Sequence, residues 1–341
     1  MTKRSYPSHC RAVGHTALLR GGVLDRLLED DRVSFEAVTG ASAGAMNAAV
    51  LAHGLTVGGR SGAREALEVF WESIASNTPG SWSGSMYEGS TTQSNPAMES
   101  LLFLTRFFSP SQLNPFDANP LRGILAAQID FEDLRANCKI KMFIAATDVS
   151  TGMARLFTTK EISADVLLAS SSIPSLHHTV EIDGKAYWDG GLTANPPIRP
   201  LVYHCAASDI LAVLLHPAPR ASLPITADEI RSRFNEISFS SAFFAELQGI
   251  EIAMHEARRH SLSLGRLERR LRRLTLHSLF APESVRQMST MSRLNTGAEF
   301  LRMLRDEGRK SADGWLREHL APVRKPFHFA FPRLRTPSGA T

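Results

Sequence analysis

The sequence predicts an α/β fold in which helices cover a largely parallel sheet. Apolar segments of strand length alternate along the chain with segments of helical periodicity, and this alternation is typical of layered α/β domains. Three segments have the apolar pattern of buried strands: Val33–Val38, Lys139–Thr147 and Ile210–Leu215. We therefore expect one central sheet with helices on its faces.

Helices are predicted between these strands. Ala43–His53 is rich in small residues and is followed by Gly54, which we expect to end the helix. Ala63–Ala75 is amphipathic, and Ser163–Ser170 forms a short helix before Pro174. A mostly helical stretch from Thr226 to Glu256 follows the last strong strand, and the final 60 residues read as helices with a basic, proline-containing tail.

A β-hairpin is the clearest local prediction. Val180–Ile182 and Lys185–Trp188 flank Asp183-Gly184, and a two-residue Asp-Gly turn between strand-forming segments favours a hairpin. Arg155–Thr158 and Leu274–His277 are predicted as further short strands. Residues 76–96 are rich in Ser, Gly, Thr and Asn and are predicted to form a long loop.

Composition excludes several classes of protein. The 341 residues carry 38 basic and 34 acidic side chains, a net charge of +4 that is too small to indicate a nucleic-acid partner. No apolar run approaches the roughly 20 residues of a membrane span. Three widely separated cysteines form neither a disulfide framework nor a zinc motif, so we predict a reducing, cytoplasmic compartment. The first 25 residues lack a signal-peptide core, although their basic character leaves a cleavable targeting sequence open.

The first candidate catalytic residue is a serine between glycines. Gly40-Ala41-Ser42-Ala43-Gly44 follows a predicted strand and precedes a predicted helix, which is the context of a nucleophile elbow. The glycines avoid collisions at a strained turn, and the Ala43 amide at the helix start would face an oxyanion on the substrate. The alternative is a serine that only caps the helix.

A nucleophilic serine needs a base, and Asp189 is the candidate. It ends the second strand of the hairpin, and Gly190 and Gly191 permit a sharp turn that would leave the carboxylate in a cleft. The alternative is an ordinary Asp-Gly-Gly turn without a catalytic role.

Together the two motifs resemble known blocks of one enzyme family. TGASAGAMNAAVLAHG and VEIDGKAYWDGGLTANPPIRPL are similar to the nucleophile and Asp-Gly-Gly/Ala blocks of the patatin-like phospholipases. GGVLDRLLED, LNPFDANPLRGIL and DEIRSRFNEISFSSAFFAEL resemble stretches of bacterial members. The resemblance covers roughly residues 14–280.

The resemblance implies a three-layer α/β/α fold with a mainly parallel sheet and hydrolysis of lipid acyl esters. It implies a dyad of Ser42 and Asp189 that acts through an acyl-enzyme, without histidine, metal or cofactor. We expect an acyl hydrolase domain over residues 12–280 and a helical extension with a basic tail over residues 281–341. The lipid cleaved and the oligomeric state are not predicted.

The sequence departs from the family at the loop whose amides form the oxyanion hole. This loop falls on Ala12–Ala17, where only Gly14 matches a family glycine, and the preceding residues are mostly polar. Three interpretations stay open. The hole is rebuilt with Gly14, His15 and Thr16; or the protein has lost activity and binds lipid or a partner; or the first dozen residues reflect a misplaced start or a frame slip.

A Ser-Asp-His triad of the α/β-hydrolase type is the rival enzyme mechanism. The histidines downstream of Asp189 make this triad formally available: His204, His216, His255, His260, His277, His319 and His328. The Asp-Gly-Gly block argues against the triad. His177 and His178 either line the cleft or form an ordinary loop pair.

Two further segments bear on lipid contact. His255–His277 carries seven arginines with leucines at helical spacing. It forms either a basic helix on an anionic membrane surface, which would make the protein peripheral, or a solvated helix docked on the core. Trp82 and Tyr87 in the long loop form an interfacial lid or pack as ordinary surface residues.

Overall fold

The fold was analysed in a computed structural model, which describes residues 9–13, 17–77, 104–105, 107–214, 223–259, 265–282, 285 and 298–319. Side chains are described from residue 19 onward. The strands are β1 (His9–Val13), β2 (Phe35–Gly40), β3 (Lys141–Asp148), β4 (Ala154–Thr158), β5 (Val180–Ile182), β6 (Lys185–Asp189), β7 (Asp209–Leu214) and β8 (Thr275–Phe280).

The helices follow the predicted alternation. They are α1 (Ala17–Leu28), α2 (Ala43–Asn77), α3 (Pro110–Leu113), α4 (Pro120–Gln128), α5 (Phe131–Asn137), α6 (Ala164–Ser170), α7 (Arg199–His204), α8 (Ala227–Ser238), α9 (Ser241–Arg259), α10 (Arg266–Arg273) and α11 (Ala298–His319). Trp82 and Tyr87, for which an interfacial lid was one of two alternatives, and the basic tail lie outside the described residues.

The described strands form one mixed sheet in the order β5-β6-β3-β2-β1-β7-β8, with β4 paired to β3 beside this path. β1 is parallel to both β2 and β7, and the pairs β2–β3 and β7–β8 are also parallel. The hairpin strand β6 runs antiparallel to β3. The predicted, mainly parallel sheet is therefore confirmed, and β1 lies inside it between β2 and β7, although two of its five residues are His9 and Arg11.

Two apolar layers cover the sheet, as the alternation of side chains along a strand requires. Val38 of β2 and Ile144 of β3 pack on one face with α2 and α4–α6. Ala37 and Phe143, one position away on the same strands, pack on the other face with α7, α9 and α10. The result is a three-layer α/β/α arrangement.

The helix after Ser42 does not end at Gly54, so that prediction was wrong. α2 runs from Ala43 to Asn77 and breaks at Gly59, whose φ is +60°. Gly54 instead permits a close approach: a Cβ there would lie 2.5 Å from Cα of Ala63. The glycine reflects the packing of the two halves of α2 against each other rather than a helix end.

The C-terminal helix α11 packs directly on α1. A Cβ on Gly22 of α1 would lie 2.0 Å from the carbonyl oxygen of Arg305, and a Cβ on Gly308 would lie 1.9 Å from that of Leu19. Across this contact Arg309 pairs with Glu29 at 2.8 Å. The predicted boundary at residue 280 stays a prediction.

Candidate active site

Strand register places Ser42 and Asp189 on either side of β3. Gly40 at the end of β2 pairs with Ile144, so Ser42 follows at the level of Ala146. Asp189 at the end of β6 pairs with Ala146 itself from the other side. Two residues that are 147 positions apart in the sequence therefore meet near the carboxyl end of one strand.

Ser42 has the strained backbone of a nucleophile elbow. Its φ is +55°, in the left-handed region that non-glycine residues rarely adopt. Gly40 permits the tight turn, because a Cβ at this position would lie 2.5 Å from the carbonyl carbon of Gly44. A serine acting only as a helix cap would normally have extended φ/ψ, so the conformation favours the elbow over the cap.

A second serine, not found by sequence reasoning, holds the elbow in place. The Ser42 amide donates to the Ser170 carbonyl at 2.9 Å and to Ser170 Oγ at 3.0 Å. Ser170 Oγ in turn donates to the Ala145 carbonyl at 2.6 Å, and the Ser170 residue is fully buried. Ser170 therefore ties the turn to β3. No motif marks it, since its role depends on a contact across 128 residues.

Asp189 is fully buried and anchored from three sides. Its Oδ1 accepts from the Gly191 amide at 2.6 Å. Its own amide donates to the Ser172 carbonyl at 2.8 Å, and its carbonyl accepts from Thr147 Oγ1 at 2.8 Å. These bonds hold the carboxyl group at one position.

The two glycines after Asp189 are required sterically. A Cβ on Gly190 would lie 2.0 Å from the Ala145 carbonyl oxygen, and a Cβ on Gly191 would lie 2.5 Å from the Phe239 ring. The turn after Asp189 thus packs directly onto β3 and onto the residue that follows α8. An ordinary exposed Asp-Gly-Gly turn would not need both contacts.

Burial raises the pKa of Asp189 to about 7, against the lowering effect of the Ser42 hydroxyl and the Gly191 amide. The contact with Ser42 is loose, because Asp189 Oδ2 has no hydrogen-bond partner of good geometry among the described residues. Catalytic hydrogen bonds often tighten only when substrate binds. A buried carboxyl group that titrates near neutrality beside a serine is suited to general-base chemistry.

The Ala43 amide lies at the start of α2, where no intrahelical acceptor is available to it. Gly14, His15 and Thr16, the other predicted oxyanion donors, lie outside the described residues. The strand before them ends at Val13, which pairs with Gly40, two residues before Ser42.

The described histidines bind groups other than the Ser42 and Asp189 side chains. His178 binds the Asn114 carbonyl at 2.8 Å, and His177 is exposed. His204 stacks on Phe143, and His277 pairs with Asp209 at the opposite end of the sheet. In the part of the chain that the structure describes, no histidine forms a hydrogen bond with Ser42 or Asp189; His216, His260 and His328 lie outside it.

A family model described as patatin-like phospholipase matches residues 15–202, more than half of the chain. The chain belongs to the patatin-like phospholipase family. Membership places it among lipid acyl hydrolases, and its three-layer α/β/α arrangement is the patatin fold. The crystal structure of VipD from Legionella pneumophila matches at 15% identity with a TM-score of 0.45, covering 92% of this chain and 67% of VipD. The comparison with curated proteins gives no match.

Among the described residues, no group of three or more histidine, cysteine, aspartate or glutamate side chains is placed to hold a metal ion. No described helix is long and apolar enough to cross a membrane.

Proposed function

We propose that this patatin-like protein is a serine acyl hydrolase that cleaves fatty-acyl esters of lipids through Ser42, Asp189 and an acyl-enzyme. One observation carries the proposal. A serine held at φ +55° lies beside a fully buried carboxyl group whose pKa is about 7. A base that is half ionised near neutral pH combines availability with proton affinity.

The dyad supplies every proton transfer that the reaction needs. Ser42 Oγ attacks the acyl carbonyl while its proton passes to Asp189, and the carbonyl oxygen becomes an oxyanion. The oxyanion collapses, the bond to the alcohol breaks, and Asp189 returns the proton to the departing oxygen. Water then attacks the Ser42 ester with Asp189 again as base, releasing the fatty acid and the free serine.

The oxyanion needs donors, and Ala43 at the start of α2 is the first. Its free amide and the positive end of the helix dipole stabilise negative charge at that point. We propose Gly14, His15 and Thr16 as the source of the others. Support comes from the end of β1. Val13, the residue just before Gly14, pairs with Gly40 on the neighbouring strand, and Gly40 is two residues before Ser42.

Several features of the protein in the cell stay predictions. These are the reducing, cytoplasmic location, the acyl hydrolase domain over residues 12–280 with its C-terminal extension, and independence from metals and cofactors. Peripheral contact with an anionic membrane surface also stays a prediction.

The test combines product release with covalent labelling. Wild type and Ser42→Ala would be incubated with mixed phospholipid and acylglycerol micelles, and free fatty acid measured. Both would also be treated with a fluorophosphonate, which modifies activated serines. Ser61→Ala is the matched control, because Ser61 is exposed at the break in α2 and its hydroxyl donates to the nearby Gly58 carbonyl.

We expect release and labelling in wild type and Ser61→Ala, and neither in Ser42→Ala. Equal background in all three proteins would refute the hydrolase and favour a patatin-fold protein that binds lipid or a partner without catalysis. Activity that survives in Ser42→Ala would refute the dyad. Activity lost on replacing one histidine downstream of Asp189 would instead support a triad.

A further inference from the structure

Helix α8 presents its apolar side to solvent. Ile230, Phe234 and Ile237 recur at i, i+4 and i+7, so they share one face of the helix. They are 53%, 69% and 49% exposed, respectively. Just before the helix, Leu223 and Ile225 are 87% and 84% exposed. We call these five residues the α8 stripe.

The polar side of α8 faces the protein. Glu236, on the side opposite the α8 stripe, has a side chain only 8% exposed and pairs with Arg233 at 3.3 Å. Ser232 on the same side is half-buried. A surface helix of a globular protein normally buries its apolar face and exposes its charges. The reversed orientation of α8 leaves large apolar side chains in water, and exposed apolar groups of this kind mark an interaction surface.

The helix ends beside the catalytic aspartate. Phe239, which follows α8, lies against Gly191, so closely that a Cβ on Gly191 would meet its ring at 2.5 Å. The Phe239 carbonyl also accepts from Asn195 Nδ2 at 3.3 Å. These contacts fix the carboxyl end of α8 against Gly191, which is two positions after Asp189 in the sequence.

We propose that the α8 stripe is the surface through which the protein sits on an electrically neutral lipid aggregate. Charge argues for a neutral partner, since the sequence of α8 has two basic residues against three acidic ones, and one of the two, Arg233, pairs with Glu236. Position argues for lipid, because the carboxyl end of the helix is fixed beside the residues that would cleave an acyl chain. The choice of lipid as partner rests on the proposed function.

The arginine-rich helix α10 is the competing surface, and it lies elsewhere. It leads into β8, whose first residue pairs with Asp209 at the amino end of β7, the end of the sheet opposite Ser42. Arg270 donates to the Val202 carbonyl at 3.3 Å and to the Ala206 carbonyl at 3.0 Å, and Leu271 is buried. This helix is docked on the core, away from the dyad.

The test measures binding to vesicles and two hydrolytic activities. Wild type would be sedimented with phosphatidylcholine vesicles at low and high salt, beside Ile230→Ser/Phe234→Ser. Ile252→Ser on α9 is the matched control, because Ile252 is 59% exposed but lies outside the stripe. Each protein would also be assayed on a soluble short-chain ester and on vesicle lipid.

We expect salt-independent binding of wild type and Ile252→Ser, and at least a tenfold loss in the double variant, as removing two large exposed apolar side chains predicts. The double variant should keep soluble-ester hydrolysis and lose vesicle hydrolysis. Binding that needs anionic lipid and is abolished by salt or by Arg269→Gln would overturn the proposal. So would a wild-type dimer that the double variant dissociates. Absent soluble-ester hydrolysis with stripe-dependent binding would refute the proposed function and leave the surface standing.

Discussion

Replacement of Asp189 by asparagine should make the protein more stable at neutral pH while removing its activity. The Asp189 carboxyl is fully buried, and burial raises its pKa from 3.8 to about 7. Each pKa unit corresponds to about 1.4 kcal/mol, so ionising this group costs the folded state about 4 kcal/mol. Asparagine cannot ionise, and its Oδ1 can still accept from the Gly191 amide.

The direction of the pH effect follows from which state holds the proton. Between the unfolded pKa of 3.8 and the folded pKa of about 7, the folded protein keeps the proton and the unfolded chain has lost it. The free energy of unfolding of wild type therefore falls as pH rises through this window. Below pH 3.8 the free energies of unfolding of the two proteins differ only by the local effect of the amide. Above pH 7 the free energy of unfolding of Asp189→Asn exceeds that of wild type by the full cost of ionising the buried carboxyl group, about 4 kcal/mol.

Urea denaturation at pH 4.5, 6 and 8 would measure this effect. The free energy of unfolding of Asp189→Asn minus that of wild type should rise by about 3–4 kcal/mol over this range. Asp31→Asn is the control, because the Asp31 side chain is 98% exposed and its difference from wild type should stay flat. A difference that is the same at pH 4.5 and pH 8 for Asp189→Asn would refute a buried carboxyl group with a raised pKa.

Two further predictions concern the dyad. The kcat/KM for a soluble ester should rise with pH and reach half its maximum near pH 7, because Asp189 must be ionised to act as base; a half-maximum near pH 4 would contradict this. Ser170→Ala removes the hydroxyl that links the Ser42 amide to the Ala145 carbonyl. It should lower kcat by about 5- to 100-fold with little change in KM. Ser171→Ala, whose hydroxyl bonds within its own helix, should behave as wild type, and equal effects would contradict the role of Ser170.

Predictions from sequence succeeded where local chemistry decides the structure. The Asp183-Gly184 turn has positive φ at both residues, 51° and 73°, which is the backbone that the hairpin prediction requires. The glycines around Ser42 and after Asp189 predicted tight turns, and Gly40, Gly190 and Gly191 each lie against backbone or ring atoms that a side chain would strike. Such demands act over a few residues and therefore leave a readable pattern.

Predictions failed or were silent where distant segments decide. A glycine at position 54 is typical of a helix end, but here it allows the Ala63 backbone to pack closely against it. Ser170 is an unremarkable serine until its helix is placed beside β3. The sequence predicted a helical stretch from Thr226 to Glu256, and only the packed structure shows that the apolar side of α8 turns outward.

Burial of the aspartate explains how the proposed mechanism works without histidine. Histidine is the usual base in serine hydrolases because its ordinary pKa lies near neutral pH. An exposed carboxylate is ionised at that pH but too weak a base to accept the serine proton efficiently. Full burial brings the pKa of Asp189 to about 7, in the histidine range. The same burial that weakens the fold by about 4 kcal/mol thus gives one carboxyl group the proton affinity that a triad obtains from its imidazole. A variant that let water reach Asp189 should lower the pKa of this carboxyl group and the activity together.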